Sequence, residues 1–117
     1  MKISVIGLGY IGLPTSAVLA ASDIDVIGVD TDQDVVDIIN QGEIHIVEPD
    51  LDTLVKSTVK LGRLRATKKP EKANVFMIAV PTPFKGDHEP DLSFIKSAAK
   101  AIAKVLEKGN LVILEST

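Results

Sequence analysis

The 117-residue chain, 45% apolar and 25% charged, is long enough for one domain with a hydrophobic core and too short for two. Its net charge of -3, with 13 basic residues scattered along the sequence, argues against a nucleic-acid partner. The absence of cysteine excludes a disulfide framework, a thiolate metal site or a thiol nucleophile within these residues. The first apolar run, Ile3 to Ile6, stops at Gly7, too short for a signal-peptide core or a membrane span, so a soluble, cytoplasmic chain with no membrane partner is expected.

Taken in chain order, Ile3 to Ile6 and Asp25 to Asp30 read as buried β-branched strands. Between them Ile11 to Ala21 reads as a helix, with Pro14 early enough to sit in the first turn, where its missing donor costs nothing. Asp32 to Asn40 carries the helical stripe Val35, Val36, Ile38 and Ile39 and is stopped by Gly42. A further helix spans about Asp50 to Leu61 and closes at Gly62. Leu64 to Thr67 reads as a short strand, and Val75 to Val80 as a strand covered on both faces that ends at Pro81-Thr82-Pro83. Asp91 is expected to cap a helix running to about Glu107, with Phe94, Ile95, Ala98, Ile102 and Leu106 on its buried side, and Leu111 to Glu115 is the last strand. This alternation predicts an α/β fold of Rossmann type: a doubly wound parallel sheet of about five strands in order 3-2-1-4-5, with helices on both faces.

Gly7-Leu8-Gly9-Tyr10-Ile11-Gly12 matches G-x-G-x-x-G, a weak signal alone. Here it follows a predicted strand, opens a predicted helix and precedes an acidic residue, Asp30, at the end of the second strand. Gly7 serves the tight turn, Gly9 the approach of a pyrophosphate and Gly12 close helix–strand packing, while the helix N-terminus holds the phosphates. Asp30 is placed to accept hydrogen bonds from the adenosine ribose hydroxyls, which favours NAD. A 2′-phosphate beside it would be repelled by about 1 to 4 kcal/mol at about 4 Å. Along the sequence Asp32 and Asp34 lie nearby, read as a helix cap or a solvated face, with no Arg or Lys until Lys56. Thr82 is either a cofactor contact at the end of the fourth strand or part of a rigid turn. The hydroxyls of Ser116 and Thr117 either face the nicotinamide or an ordered water, or are structural.

The run Ile6 to Pro14, the Pro81-Thr82-Pro83 turn and the Glu115-Ser116-Thr117 end together resemble the UDP-glucose/GDP-mannose dehydrogenase family, over essentially the whole chain. Within it, the stretches Gly42 to Leu51 and Pro83 to Asp91 are most similar to the members that oxidise UDP-N-acetyl-D-mannosamine. The resemblance implies a two-step, four-electron oxidation of the sugar C6 alcohol to a carboxylate with two NAD, for surface polysaccharide. It places Tyr10, Ile11, Asp30 and Thr82 against NAD and Thr117 near the nicotinamide as a water-positioning residue. The family's cysteine nucleophile and catalytic lysine lie further downstream, so the 117 residues are expected to be a truncated NAD-binding domain. It would lack the central and UDP-sugar-binding domains and be inactive alone.

No metal is expected, since only two histidines are present and both neighbourhoods are loop-like. His45, Glu48 and His88 are expected to order loops at the cofactor edge, or to contact substrate or a neighbouring subunit. Lys100 to Lys108 is expected to be a solvated helix face. The last strand, left as an apolar edge, is expected to make the chain self-associate or be marginally stable, and a clean monomer of high thermal stability by ultracentrifugation and melting would count against this. A stand-alone NAD-binding module without chemistry is the competing reading, and a related dehydrogenase acting on another nucleotide sugar is the alternative within enzymes.

Overall fold

The β-branched runs become strands because each is apolar on both faces and needs cover on both. A computed structural model describes residues 1–86 and 89–115. In it β1 (Lys2–Ile6), β2 (Asp25–Val29), β3 (Leu64–Thr67), β4 (Val75–Ile78) and β7 (Leu111–Leu114) form one parallel sheet in the order β3-β2-β1-β4-β7. This is the expected 3-2-1-4-5 arrangement, counting the strands of the main sheet. The two intervening strands, β5 (Phe84–Lys85) and β6 (Glu89–Pro90), pair antiparallel in a small hairpin that the sequence reading did not anticipate.

Side chains alternate across the sheet and divide the core in two. Ile3 and Val5 of β1 join Val26, Leu64 and Ala66 beneath α1 (Gly12–Ala21), α2 (Gln33–Asn40) and α3 (Leu51–Lys60). Ile6, Ile27, Val29, Phe76 and Ile78 pack on the opposite face against Ala98 and Ile102 of α4 (Ser93–Ala103). Helices therefore lie on both faces, and the fold is the doubly wound one.

Local chemistry sets the ends of the elements. Asp32 caps α2 by accepting the Asp34 N–H at 2.9 Å, the capping role expected for it. Helices α2 and α3 close alike: the Gly42 and Gly62 N–H groups donate to Ile39 and Val59, and the residues after them, Glu43 and Arg63, to Ile38 and Thr58. Asn40, the last residue of α2, turns back on the edge strand β3. Its amide donates to the Ala66 carbonyl at 2.9 Å and accepts the Ala66 N–H at 2.8 Å, satisfying backbone groups that an unpaired edge would leave free.

Two boundaries differ from expectation. Strand β4 ends at Ile78 rather than Val80: the Ala79 N–H still donates to the Ile6 carbonyl at 2.8 Å, and Ala79 and Val80 then line a groove. Asp91 accepts the Ser93 N–H at 2.9 Å, as a cap does, but α4 ends at Ala103 rather than near Glu107. Tight turns follow, in which Val105 donates to the Ile102 carbonyl and Asn110 accepts the Glu107 N–H on its side chain. On α4, Ala98 and Ile102 are buried as expected, whereas Phe94 and, past the end of the helix, Leu106 are each 46% exposed. Among the described residues no helix is long and apolar enough to cross a membrane.

Candidate functional site

The sheet ends along one row: Thr67 aligns with Val29, Val29 with Ile6, Ile6 with Ile78 and Ile78 with Leu114. One step past each strand the chain supplies Lys68, Asp30, Gly7, Ala79 and Glu115, and all five line a single groove of about 690 Å³. The groove straddles the place between β1 and β4 where the winding of the sheet reverses direction. Loops diverge there and leave a crevice at the carboxyl ends of the strands.

The glycine loop forms its floor. Gly7 holds φ at +98° and donates its N–H to the Val29 carbonyl at 2.7 Å, and a Cβ there would lie 2.8 Å from the Ala79 carbonyl oxygen. Gly12 is buried at the start of α1, where a Cβ would come within 1.6 Å of the Gly7 carbonyl oxygen. Gly9 is the opposite case: it is exposed in the groove, and a Cβ would meet no atom within 4 Å. Thus Gly7 and Gly12 are dictated by packing, and Gly9 leaves open space where a pyrophosphate would reach the backbone. Beyond Gly7, the first N–H to find a backbone acceptor is that of Leu13, which donates to the Gly9 carbonyl at 3.1 Å. The donors of Gly9, Tyr10, Ile11 and Gly12 are left for an anion, at the positive end of the α1 dipole.

Leu8 looks in sequence like a variable position of the motif, yet it is fully buried. It lies against Gly28 of β2, where a Cβ would come within 2.7 Å of it. Its N–H donates to Asp30 Oδ2 at 3.1 Å, while Asp30 Oδ1 accepts the Asp32 N–H at 3.0 Å. Asp30 therefore ties the glycine loop to the start of α2, and it is half-buried with the remaining lone pairs of both oxygens free for ribose hydroxyls.

Of the residues expected to bind the cofactor, Gly7, Gly9, Tyr10, Ile11, Asp30 and Thr82 line the groove, while Gly12 lies beneath it. Tyr10 is 68% exposed at its rim. Thr117, like Ser116, Asp87 and His88, lies outside the described residues. His45 and Glu48 do not line the groove, which corrects their expected place at the cofactor edge. They sit between α2 and α3, and Glu48 borders a separate recess of about 150 Å³ with Pro14 and Val18 of α1.

Sequence reasoning missed one wall of the groove. Lys68 and Pro70 after β3, and Phe94, Ser97 and Ala101 of α4, all line it. Of these α4 residues only Phe94 belonged to the expected stripe, whose outer edge faces the groove rather than the core. Lys68 adds a cation that the local sequence around Asp30 does not show: far away in the chain, it arrives at the end of the neighbouring strand. The turn that carries it is pinned. Arg65 makes a two-pronged ion pair with Glu71, at 2.7 and 2.9 Å, and the Thr67 hydroxyl donates to the Lys69 carbonyl at 2.8 Å.

The hydrogen bonds from Arg65 hold the Glu71 carboxyl below its usual range, and burial opposes this only in part. The stability this pair contributes is therefore present above the unfolded glutamate pKa and is lost as pH falls through the folded one. In thermal melts Glu71→Gln is expected to lower Tm at neutral pH, with the gap to wild type closing below about pH 4 and shrinking in salt, because the pair is exposed. A gap that persisted in acid would count against an ionic role.

Residues 1–117 match the family model described as the UDP-glucose/GDP-mannose dehydrogenase family, NAD binding domain. A UDP-N-acetyl-D-mannosamine dehydrogenase of Campylobacter jejuni is 68% identical over 117 residues, which cover 99% of this chain and 29% of that protein. An NDP-N-acetyl-D-galactosaminuronic acid dehydrogenase of Ralstonia nicotianae is 64% identical over 115 residues, or 98% and 27%. The chain thus spans less than a third of the length of these curated relatives. Among solved structures, the UDP-N-acetyl-mannosamine dehydrogenase of Staphylococcus aureus superposes with a TM-score of 0.97 at 43% identity, covering 100% of this chain and 29% of that one. The GDP-mannose dehydrogenase of Pseudomonas aeruginosa, a ternary complex, gives 0.94 at 35%, with 100% and 28% covered. Crevice, glycine loop and strand-end carboxylate agree with that match: the chain belongs to the UDP-glucose/GDP-mannose dehydrogenase family, as its NAD-binding domain.

Proposed function

We propose that this chain is the cofactor half of an enzyme that oxidises the C6 alcohol of UDP-N-acetyl-D-mannosamine to a carboxylate, taking up two hydrides in succession. The observation that carries the reading is the groove at the sheet switch point, where Gly9 leaves open space before free N–H donors and Asp30 keeps free lone pairs. When bound, NAD supplies the hydride acceptor. The chain's own residues bind and orient it: the α1 N-terminus neutralises the pyrophosphate, Asp30 holds the adenosine ribose, and Tyr10, Ile11 and Thr82 border the path toward the nicotinamide.

Thr117 is assigned water positioning on the family resemblance. The sequence contains no thiol, so a covalent nucleophile for the second oxidation comes from outside these 117 residues. Sugar identity rests on the relatives, whose names divide between N-acetyl-D-mannosamine and N-acetyl-D-galactosaminuronic acid. The exposed apolar residues of β7, Leu111, Val112 and Leu114, support self-association of this stretch by itself.

The test is substrate turnover by the protein that carries this chain, read as NADH formed per sugar consumed. Two NADH per UDP-N-acetyl-D-mannosamine, with UDP-glucose and GDP-mannose oxidised far more slowly, is the expected result. Turnover of another sugar in preference would overturn the substrate, and one NADH per sugar would overturn the four-electron course.

A further inference from the structure

The adenosine end of the groove carries a cation as well as an anion. Asp30 follows β2 directly and Lys68 follows β3. The two strands are paired up to Val29 and Thr67, and the Asp30 N–H continues the ladder by donating to the Thr67 carbonyl at 3.0 Å. Neighbouring strands run about 4.8 Å apart, so the backbones of Asp30 and Lys68 are close neighbours, and both residues line the same groove. Among the described residues Lys68 makes no ion pair, whereas Arg63, Arg65 and Lys72 each have a carboxylate partner. The Arg65–Glu71 pair and the Thr67 hydroxyl bond fix the turn on either side of Lys68, so its Cα position is set even though its side chain is exposed.

Resting on the reading of this groove as an NAD site, we propose that Lys68 sets how sharply the groove distinguishes NAD from NADP. Asp30 alone would repel a phosphate on the ribose 2′ position. A free ammonium on the adjacent strand end offsets that repulsion and leaves a residual affinity for the phosphorylated cofactor. Lys68 supplies a point charge on a flexible stem rather than the planar fork of an arginine, so it softens the discrimination without reversing it. Coulomb interaction of a unit charge with a partly solvated phosphate a few ångströms away corresponds to about threefold to tenfold in affinity.

Calorimetric titration of the chain with NAD and with NADP, and of Lys68→Ala and Lys68→Arg, tests this. NADP is expected to bind the unmodified chain measurably but more weakly than NAD. Lys68→Ala should widen the ratio of the two dissociation constants by about threefold to tenfold, Lys68→Arg, which keeps the charge and adds the fork, should leave it no wider than the original, and the widening should diminish with added salt. A loss of folding or of groove shape would weaken both cofactors alike, so the ratio separates a charge role from a structural one. An unchanged ratio in Lys68→Ala, or no NADP binding by the unmodified chain where NAD saturates, would overturn the inference and leave the NAD site standing. Failure of both cofactors to bind would overturn the site itself and the inference with it.

Discussion

Replacing Gly12 by alanine is expected to unfold the domain or lower its Tm by more than about 10 °C, a loss on the order of 3 kcal/mol or more. In a helix an alanine ordinarily gains up to about 1 kcal/mol over glycine, so the usual expectation has the opposite sign. Here the added methyl carbon falls 1.6 Å from the Gly7 carbonyl oxygen, far inside van der Waals contact. The oxygen cannot withdraw cheaply. Gly7 is tied by its own N–H to Val29 and is wedged against the backbone of Ala79, and on the other side α1 is seated through Leu13 and Ala17, both fully buried. Relief requires α1 to lift from the sheet, opening the core on that face. Thermal denaturation followed by circular dichroism reads the result, and a Tm within a degree or two of wild type would show that the loop accommodates the methyl group and that the packing account is wrong.

At Gly9 the opposite pattern is expected. Valine there should leave stability within about 0.5 kcal/mol of wild type, because nothing lies within 4 Å of the added carbon and the position is exposed. NAD affinity should fall on the order of 100-fold, since the branched side chain occupies the space through which a pyrophosphate reaches the free N–H groups of α1. Calorimetry and melting on the same sample separate the two effects. Lost binding together with lost stability would mean that Gly9 is structural, and retained binding would mean that the phosphates do not lie over this loop. This variant isolates the site better than Asp30→Ala, because Asp30 also accepts the N–H of the buried Leu8 and its removal leaves that donor unpaired, at about 1 to 3 kcal/mol.

The sheet was legible in the sequence because its order follows from a few signals: β-branched and apolar runs, helices between most of them, and the right-handed crossover that twisted strands impose on parallel neighbours. The glycine loop and Asp30 were legible for the same reason, being close in sequence to the strands they follow. What escaped was whatever depends on neighbours distant in the chain. Lys68 reaches the groove only because β3 pairs with β2, and Leu8 is core only because Gly28 makes room for it. The apolar character of Ala79 and Val80 was read as strand, yet it serves contact with Gly7 and the groove wall. The hairpin of β5 and β6 has no alternating pattern to announce it and contains a proline, which ordinarily argues against a strand. The helix α4 was drawn too long because Leu106 continues the apolar spacing past the turn that ends it.

Equilibrium titration of the chain with NAD reads directly whether this groove is a competent NAD site. A competent groove gives saturable binding of one NAD per chain, stronger than NADP and abolished or severely weakened in Gly9→Val while the fold persists. Absence of any saturable heat with a chain shown to be folded would contradict it, leaving the family's fold without its cofactor site.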